Sequence, residues 1–269
     1  MKSLTAAELD LVRLSGETVV QFCQGQLSCD VEALKSAEII PGLLLNPQGK
    51  LVSTLRIRKV SDSAIELYVE PGFGSTVAEA LERFNLGSKI KIDLDVVPVM
   101  RYRAIAGSEE TPPDSEYLEQ FWGSDWIAHD YLESDLDTYG VYEDCRIAAG
   151  AVEMGTEIFA GDIPASAPIV SGFVSFDKGC YLGQELVARM SSRKASPPQR
   201  IVRVHGESLV AGSEILSGDE NVGKVLSVAG DPEIGGLAIL KRKADLGDYI
   251  TSSSASVTVS ELEFDIGKA

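Results

Sequence analysis

At 269 residues the chain has room for two domains or three small ones. Hydrophobic residues make up 44% and charged residues 24%, which supports a sizeable core. The longest apolar runs stop well short of the ~18 residues that a membrane span needs. The balance of 24 basic against 41 acidic side chains gives a formal charge of -17, which opposes general binding to a nucleic-acid backbone.

The N-terminus leads straight to Glu8 and Asp10 without an apolar signal core, so a soluble, cytoplasmic, membrane-free protein is expected. The four cysteines, Cys23, Cys29, Cys145 and Cys180, include no C-x-x-C pair, and only His129 and His205 stand by to assist them. No metal site is expected, and reduced thiols are the default.

Residues 11–14 read as a short strand and Ser15-Gly16 as a turn, followed by a helix over 17–24 with Val19, Val20 and Cys23 at helical spacing. A hairpin follows: a strand to Leu45, the turn Asn46-Pro47-Gln48-Gly49, and a return strand over 51–60. Strand 64–69, helix 76–84 and strands 89–100 and 101–106 complete a β-β-β-α-β order, which predicts an antiparallel α+β layer.

Residues 109–113 read as a polar loop. Between Glu109 and Asp162 stand fifteen Asp or Glu against one basic residue, Arg146. This stretch holds Trp122 and Trp126, so order is expected, with a helix over 137–149. Residues 173–176 read as a strand, 186–190 as a helix and 191–199 as a linker. Short strand-like runs at 200–204, 214–216, 224–228, 236–240 and 249–259 predict a small all-β barrel or sandwich at the C-terminal end.

The sharpest feature is Lys178-Gly179-Cys180-Tyr181-Leu182-Gly183-Gln184-Glu185. A cysteine at a strand-to-helix turn beside a lysine is a setting that favours thiolate, and Gly179 and Gly183 permit close approach of a ligand or another backbone. A buried structural cysteine next to a glycine turn is the competing reading.

This string resembles the K-G-C-Y-x-G-Q-E signature of the YgfZ family, folate-binding proteins implicated in iron–sulfur cluster maintenance and related to the glycine cleavage T-protein. Residues 22–31, 46–51, 146–150 and 155–158 resemble further family segments, and weaker similarity continues through Val222-Gly223-Lys224. The resemblance implies a ring of three small domains around a folate derivative, with a ferredoxin-like α+β N-terminal part and a C-terminal barrel. The expected division is 1–190 for a folate-binding region of two interleaved subdomains, one centred on about 45–106, and 200–269 for the barrel.

The resemblance also implies that Cys180 is the reactive residue, tuned by Lys178, with Tyr181, Gln184 and Glu185 shaping the loop. Asp30, Arg146, Glu157 and Arg189 are candidate contacts to tetrahydrofolate or a derivative. A carboxylate suits a pterin N–H edge, and arginine suits a carboxylate. For Arg146 and Glu157 a structural ion pair is an equal alternative, and Asp30 either faces the ligand or caps the next segment. The basic run 189–203 reads as a solvated linker face, a folate-tail site or a local RNA contact.

Two departures stand out. Cys29 replaces the family's usual Asn, and Ser53 and Thr54 stand where the T-protein carries an Asp pair that assists aminomethyl transfer. The expected role is therefore a monomeric, folate-binding accessory to iron–sulfur client enzymes. A tetrahydrofolate-dependent aminomethyltransferase is the enzymatic alternative, and a link to tRNA modification is the remaining family role.

Overall fold

The computed structural model describes residues 1–36, 38–106, 117–119, 125–132, 138–192 and 196–262. Its first part is built on one antiparallel seven-stranded sheet of order β2-β3-β4-β1-β5-β7-β6. The strands are β1 Lys2–Ser15, β2 Ile39–Leu45, β3 Leu51–Ser61, β4 Ala64–Val69, β5 Lys91–Ile105, β6 Tyr117–Glu119 and β7 Trp126–Tyr131.

β1 is buried on both faces. Val12 and Leu14 join one apolar cluster, while Leu9 and Leu11 join another, as alternation along a strand requires. The first cluster is closed by α1, Val19–Gln26, through Val19 and Cys23, and by α2, Gly74–Glu82, through Val77 and Leu81. The α+β order expected from the sequence is therefore present.

Several boundaries differ. The strand read at 11–14 runs from Lys2, because β1 pairs along its whole length with β5. The two strands read at 89–106 are one continuous β5. The hairpin turn is set by Asn46, whose Oδ1 accepts from the backbone N–H groups of Gln48 and Lys50, each at 3.0 Å, an Asx turn. The loop read at 109–113 lies outside the described residues. Of the acidic stretch, β6 and β7 are ordered strands that periodicity did not reveal.

The helix read at 137–149 is α3, Tyr142–Ala149, which ends at Gly150 in the left-handed conformation at φ 73°. Residues 173–176 are not a strand. They begin at the end of a short helix α4, Val170–Phe173, and continue as irregular chain to α5, Gln184–Ser192.

The C-terminal part is a closed six-stranded barrel of order β10-β11-β8-β13-β12-β9. Its strands are β8 Gln199–His205, β9 Glu214–Ser217, β10 Glu220–Val228, β11 Gly236–Lys241, β12 Gly247–Thr251 and β13 Ser256–Ser260. The single run read at 249–259 is two strands joined by a turn. Val202, Val204, Ile215, Val225, Leu240 and Val257 fill the interior.

The barrel is fastened to α3 at both ends. Gly230 N–H donates to Asp144 at 2.6 Å, and the Arg203 guanidinium donates to the carbonyls of Ile147 and Ala148, each at 3.0 Å. Those carbonyls belong to the last turn, where helix carbonyls lack a full set of intrahelical partners, although Ile147 O also accepts from Gly150 N–H at 3.0 Å. Between these ties lies a shared apolar cluster of Ile147, Met154, Ile158, Ile201, Leu237 and Leu262. No helix among the described residues is long and apolar enough to cross a membrane.

Candidate functional site: an exposed cysteine loop and a charged cavity

The signature segment is a loop held to three elements. Lys178 Nζ donates to the carbonyls of Gln24, Leu27 and Cys29, each at 2.7 Å. An ammonium has three donors, so all of them are committed to the chain around the end of α1. Lys178 thus anchors the loop, and none of its three donors is left for a hydrogen bond to Cys180. The same ammonium lies 5.2 Å from the ring centroid of buried Tyr181, a cation–π distance.

Leu182 N–H donates to Gly25 O at 3.0 Å, and Gln184 Oε1 accepts from Tyr181 N–H at 3.2 Å. Glu185 is exposed. The two glycine motifs explain each other. A Cβ on Gly183 would lie 2.5 Å from Asn46 O and 3.0 Å from Gly49 Cα, and a Cβ on Gly49 would lie 2.7 Å from Gly183 O. Both residues have positive φ, 77° and 76°, so the hairpin turn and the signature loop dock backbone to backbone.

Cys180 sits four residues before α5 rather than at its first turn, and it is exposed, whereas Cys23, Cys29 and Cys145 are buried. Burial pushes the Cys29 thiol up to about 12 and raises Cys23 and Cys145 above their ordinary range. Iodoacetamide on the native chain is therefore expected to modify one thiol, at Cys180. Peptide mass mapping checks this, and modification of Cys29 or Cys145 at a similar rate would contradict it.

A second feature lies where the sheet, α3 and the 151–154 segment meet. Arg56, Glu70, Tyr142, Arg146 and Glu153 line a cavity closed by Thr54, Ile169 and Phe173, among others. It leaves about 70 Å³ for the centres of water-sized molecules, room for about five waters.

Behind it lies a buried charge network. Asp130, 0% exposed, accepts from Arg56 Nη1 at 2.6 Å and from Arg103 Nη2 at 2.7 Å, with Arg101 Nε at 3.9 Å. These arginines hold its carboxyl well below the usual range against the opposing effect of burial. Arg101 in turn carries two carboxylates side by side. Its Nη2 donates to Glu70 Oε2 at 2.5 Å and its Nη1 to Glu153 Oε1 at 2.9 Å. Burial, and then the Glu70 charge, raise the Glu153 carboxyl.

The site residues expected from the sequence divide. Arg146 lines the cavity, but its guanidinium is taken up by Glu157, Glu143 and Ala151 O. Glu157 does not line it. Its carboxylate accepts from both Arg146 Nη atoms, from Glu153 N–H at 2.9 Å and from Ser227 Oγ at 2.5 Å, so the structural ion pair is the reading that the geometry supports. Asp30 accepts from Ala33 N–H at 3.2 Å and from Gln24 Nε2 at 3.0 Å, the capping alternative.

Arg189 is exposed on α5, beside Gln48 and Gln184 in a separate polar recess. Of the linker's basic residues, Arg193 and Lys194 lie outside the described residues. Ser53 is buried and Thr54 lines the cavity, so β3 supplies no carboxylate there. The cavity carboxylates are instead Glu70 and Glu153, which the motifs did not single out. The sequence signal reached only the network behind them, since Arg101 and Arg103 share one face of β5 and Asp130 is the one carboxylate in β7.

Among the described residues no cluster of three or more His, Cys, Asp or Glu is arranged to hold a metal ion. No protein-family model matches the chain. Its sequence is 25% identical over 217 residues to "tRNA-modifying protein YgfZ" of Colwellia psychrerythraea, covering 68% of this chain and 65% of that protein. It is 27% identical over 217 residues to the protein of the same name from Hamiltonella defensa, covering 68% and 64%. The chain thus spans somewhat under two thirds of the length of these two relatives.

Among solved structures, aminomethyltransferase T of the Bartonella henselae glycine cleavage system superposes with a TM-score of 0.71 at 15% identity, over 98% of this chain and 86% of that one. The chain is a relative of the YgfZ proteins, built on the fold of the glycine cleavage aminomethyltransferase.

Proposed function

We propose that the chain is a folate-binding accessory protein for iron–sulfur enzymes, with a reduced folate in the charged cavity and Cys180 as the thiol offered to the client. The observation that carries this reading is the cavity itself. Buried Arg56 has an Nη2 without a hydrogen-bond acceptor among the described residues, and two carboxylates stand beside it. The cavity's enclosed room is about 70 Å³, enough to take the polar edge of a ring, which leaves the rest of the molecule to extend outward.

The residues present therefore fit the group. Glu153, Glu70 and Arg56 would hold its ring, and Phe173 and Ile169 would pack on its apolar face. A reduced folate supplies one-carbon carriage when bound. The chain's own contribution is to orient it and to keep Cys180 accessible on a loop that Lys178 locks in place. Iron–sulfur clusters enter only as the client's cargo.

The name of these relatives points to tRNA modification. A charge of -17 disfavours direct RNA contact, so the fitting role is indirect, as support for an iron–sulfur enzyme that modifies tRNA. In cells lacking the native protein, Cys180→Ala is expected to leave such an enzyme at the level of the deletion while the purified variant still binds tetrahydrofolate. Wild-type client activity from Cys180→Ala would overturn the role given to the thiol.

An aminomethyltransferase is the second reading, favoured by the fold. Turnover of tetrahydrofolate with an aminomethyl-loaded carrier protein would establish it. With Ser53 and Thr54 at the T-protein's carboxylate positions, none is expected.

A further inference from the structure

We infer that the open edge of β5 over residues 92–98 takes an added strand from a partner protein, and that the partner's segment is extended and basic. Neither the edge nor its partner depends on the folate reading. β5 pairs with β1 along its length, from Lys2↔Ala104 to Ser15↔Lys91, without a shift of register. Its other edge meets β7 only from Met100 to Ile105. Residues 92–98 therefore keep one edge that no other described strand joins. At about 3.4 Å per residue that edge is roughly 24 Å long, within the ordinary range of strand lengths.

The direction of each backbone group follows from alternation. At the end of β5, Ile105 N–H donates to Met1 O, just before β1, and Ala106 N–H donates to Asp125 O, just before β7. Odd-numbered residues thus turn to β1 and even-numbered ones to the β7 side. With the register unshifted, Ile92, Leu94, Val96 and Pro98 present their backbone to the open edge. Two features agree with this. Pro98 has no N–H to lose, and proline inside a sheet is confined to such edges. Val96 N–H is taken by the neighbouring Asp95 Oδ1 at 2.9 Å rather than by β1.

Sheet edges are commonly blunted against pairing. Here Pro98 closes one end and Asp95 holds one donor, which leaves the N–H groups of Ile92 and Leu94 and the carbonyls of this row to pair. The side chains of Leu94 and Val96 are each 51% exposed, an apolar surface that an added strand would cover.

Charge favours a basic partner over a second copy. Across the paired residues 8–15 and 91–98, Glu8, Asp10, Asp93 and Asp95 stand against Arg13 and Lys91, four acids to two bases, in a chain of -17. Two copies joined at this edge would bring Asp93 and Asp95 toward their own kind, and like charges opposed across strands destabilise pairing. Their present partners, Lys91 for Asp93 and Arg13 for Asp95, are exposed and weakly held. In an antiparallel added strand the residues opposite Asp93 and Asp95 occupy non-hydrogen-bonded positions, where side chains come closest. Lysine or arginine there, alternating with apolar residues over Leu94 and Val96, is the complementary pattern. Main-chain bonds would supply affinity and the charges would select the partner.

The test follows backbone amide exchange by NMR in the 269-residue chain, with a soluble peptide of alternating lysine and valine and its glutamate–valine counterpart. In the free chain the amides of Ile92 and Leu94 are expected to exchange fast and those of Asp93 and Asp95 slowly. The lysine–valine peptide is expected to slow Ile92 and Leu94 at least about 10-fold, and the glutamate–valine peptide to leave them unchanged. Leu94→Pro removes one outward donor and no bond to β1, and is expected to abolish the protection of Ile92 while circular dichroism shows the variant folded. Asp93→Lys, an exposed change, is expected to weaken the lysine–valine peptide about 3- to 10-fold and serves if the proline variant does not fold.

Slow exchange at Ile92 and Leu94 in the free chain at every concentration, or no effect of either peptide, would overturn the inference and leave a blunted edge. Protection that grows with chain concentration alone would overturn it in favour of a second copy. Equal protection by both peptides, or an unchanged response in Asp93→Lys, would overturn the basic partner. None of these outcomes bears on tetrahydrofolate binding.

Discussion

Asp130→Asn is expected to lower the unfolding free energy by about 3–5 kcal/mol, the cost of stripping a buried ion pair of one partner. Asp130 is 0% exposed and compensates arginines that are themselves buried, Arg56 at 6%, Arg101 at 6% and Arg103 at 0%. Loss of its charge leaves a net positive cluster beneath the sheet. Glu70 and Glu153 compensate Arg101 directly, whereas Arg103 pairs with Asp130.

Against a typical total of about 5–15 kcal/mol, the chain would lose about a fifth of its stability or more. Thermal denaturation at pH 7 checks this, with a fall in Tm on the order of 10 °C expected and an unchanged Tm contradicting it. The pH dependence has a definite sign. Because the folded-state pKa of Asp130 is depressed, its stabilisation is fully present above the unfolded value of about 3.9 and is lost as pH falls toward the folded value. The gap between wild type and variant should therefore narrow in strong acid.

Glu157→Ala should cost a similar amount, also about 3–5 kcal/mol, by a different route. Arg146 is 1% exposed, and its remaining carboxylate partner at hydrogen-bond distance, Glu143, is 49% exposed and so more weakly coupled. The substitution also removes the acceptor for Ser227 of β10, which ties the barrel to the segment that pairs with Arg146. Urea unfolding is expected to show a lower midpoint for Glu157→Ala. A near-wild-type midpoint would show that Glu143 compensates Arg146 unaided.

Glu157 is expected to affect the cavity too, but indirectly. Its carboxylate holds the backbone N–H of Glu153, so weakened ligand binding in a Glu157 variant would accompany loss of stability. Glu153 is the residue whose substitution separates recognition from folding.

The sequence made the α+β order and the barrel legible because their signals are local. Alternation marks β3 and β4, the Asn46 turn marks the hairpin, and regularly spaced Gly and Asp mark the barrel's strands. The signature loop was legible as a string, although its mechanics were not. That Lys178 would spend all three donors on the carbonyls around the end of α1 depends on pairing across about 150 residues of chain.

The cavity was invisible for the same reason. Arg56, Glu70, Arg101 and Glu153 come from four separate segments, and no spacing rule links them. Glu157 misled because a carboxylate in a recognised segment suggests a ligand contact, whereas its partner Arg146, eleven positions earlier, satisfies it internally. The strand read at 173–176 failed because a short apolar run carries too little period to separate strand from helix.

The most direct measurement is a calorimetric titration of the wild-type chain with tetrahydrofolate and 5-formyltetrahydrofolate, with Cys180→Ala in parallel. Saturable one-to-one binding of at least one folate, unchanged in Cys180→Ala, is the expected result, because Cys180 is not among the residues that line the cavity. Absence of heat and of saturation with both folates would contradict the account at its centre, leaving the fold of the glycine cleavage aminomethyltransferase with a charged cavity that serves no folate.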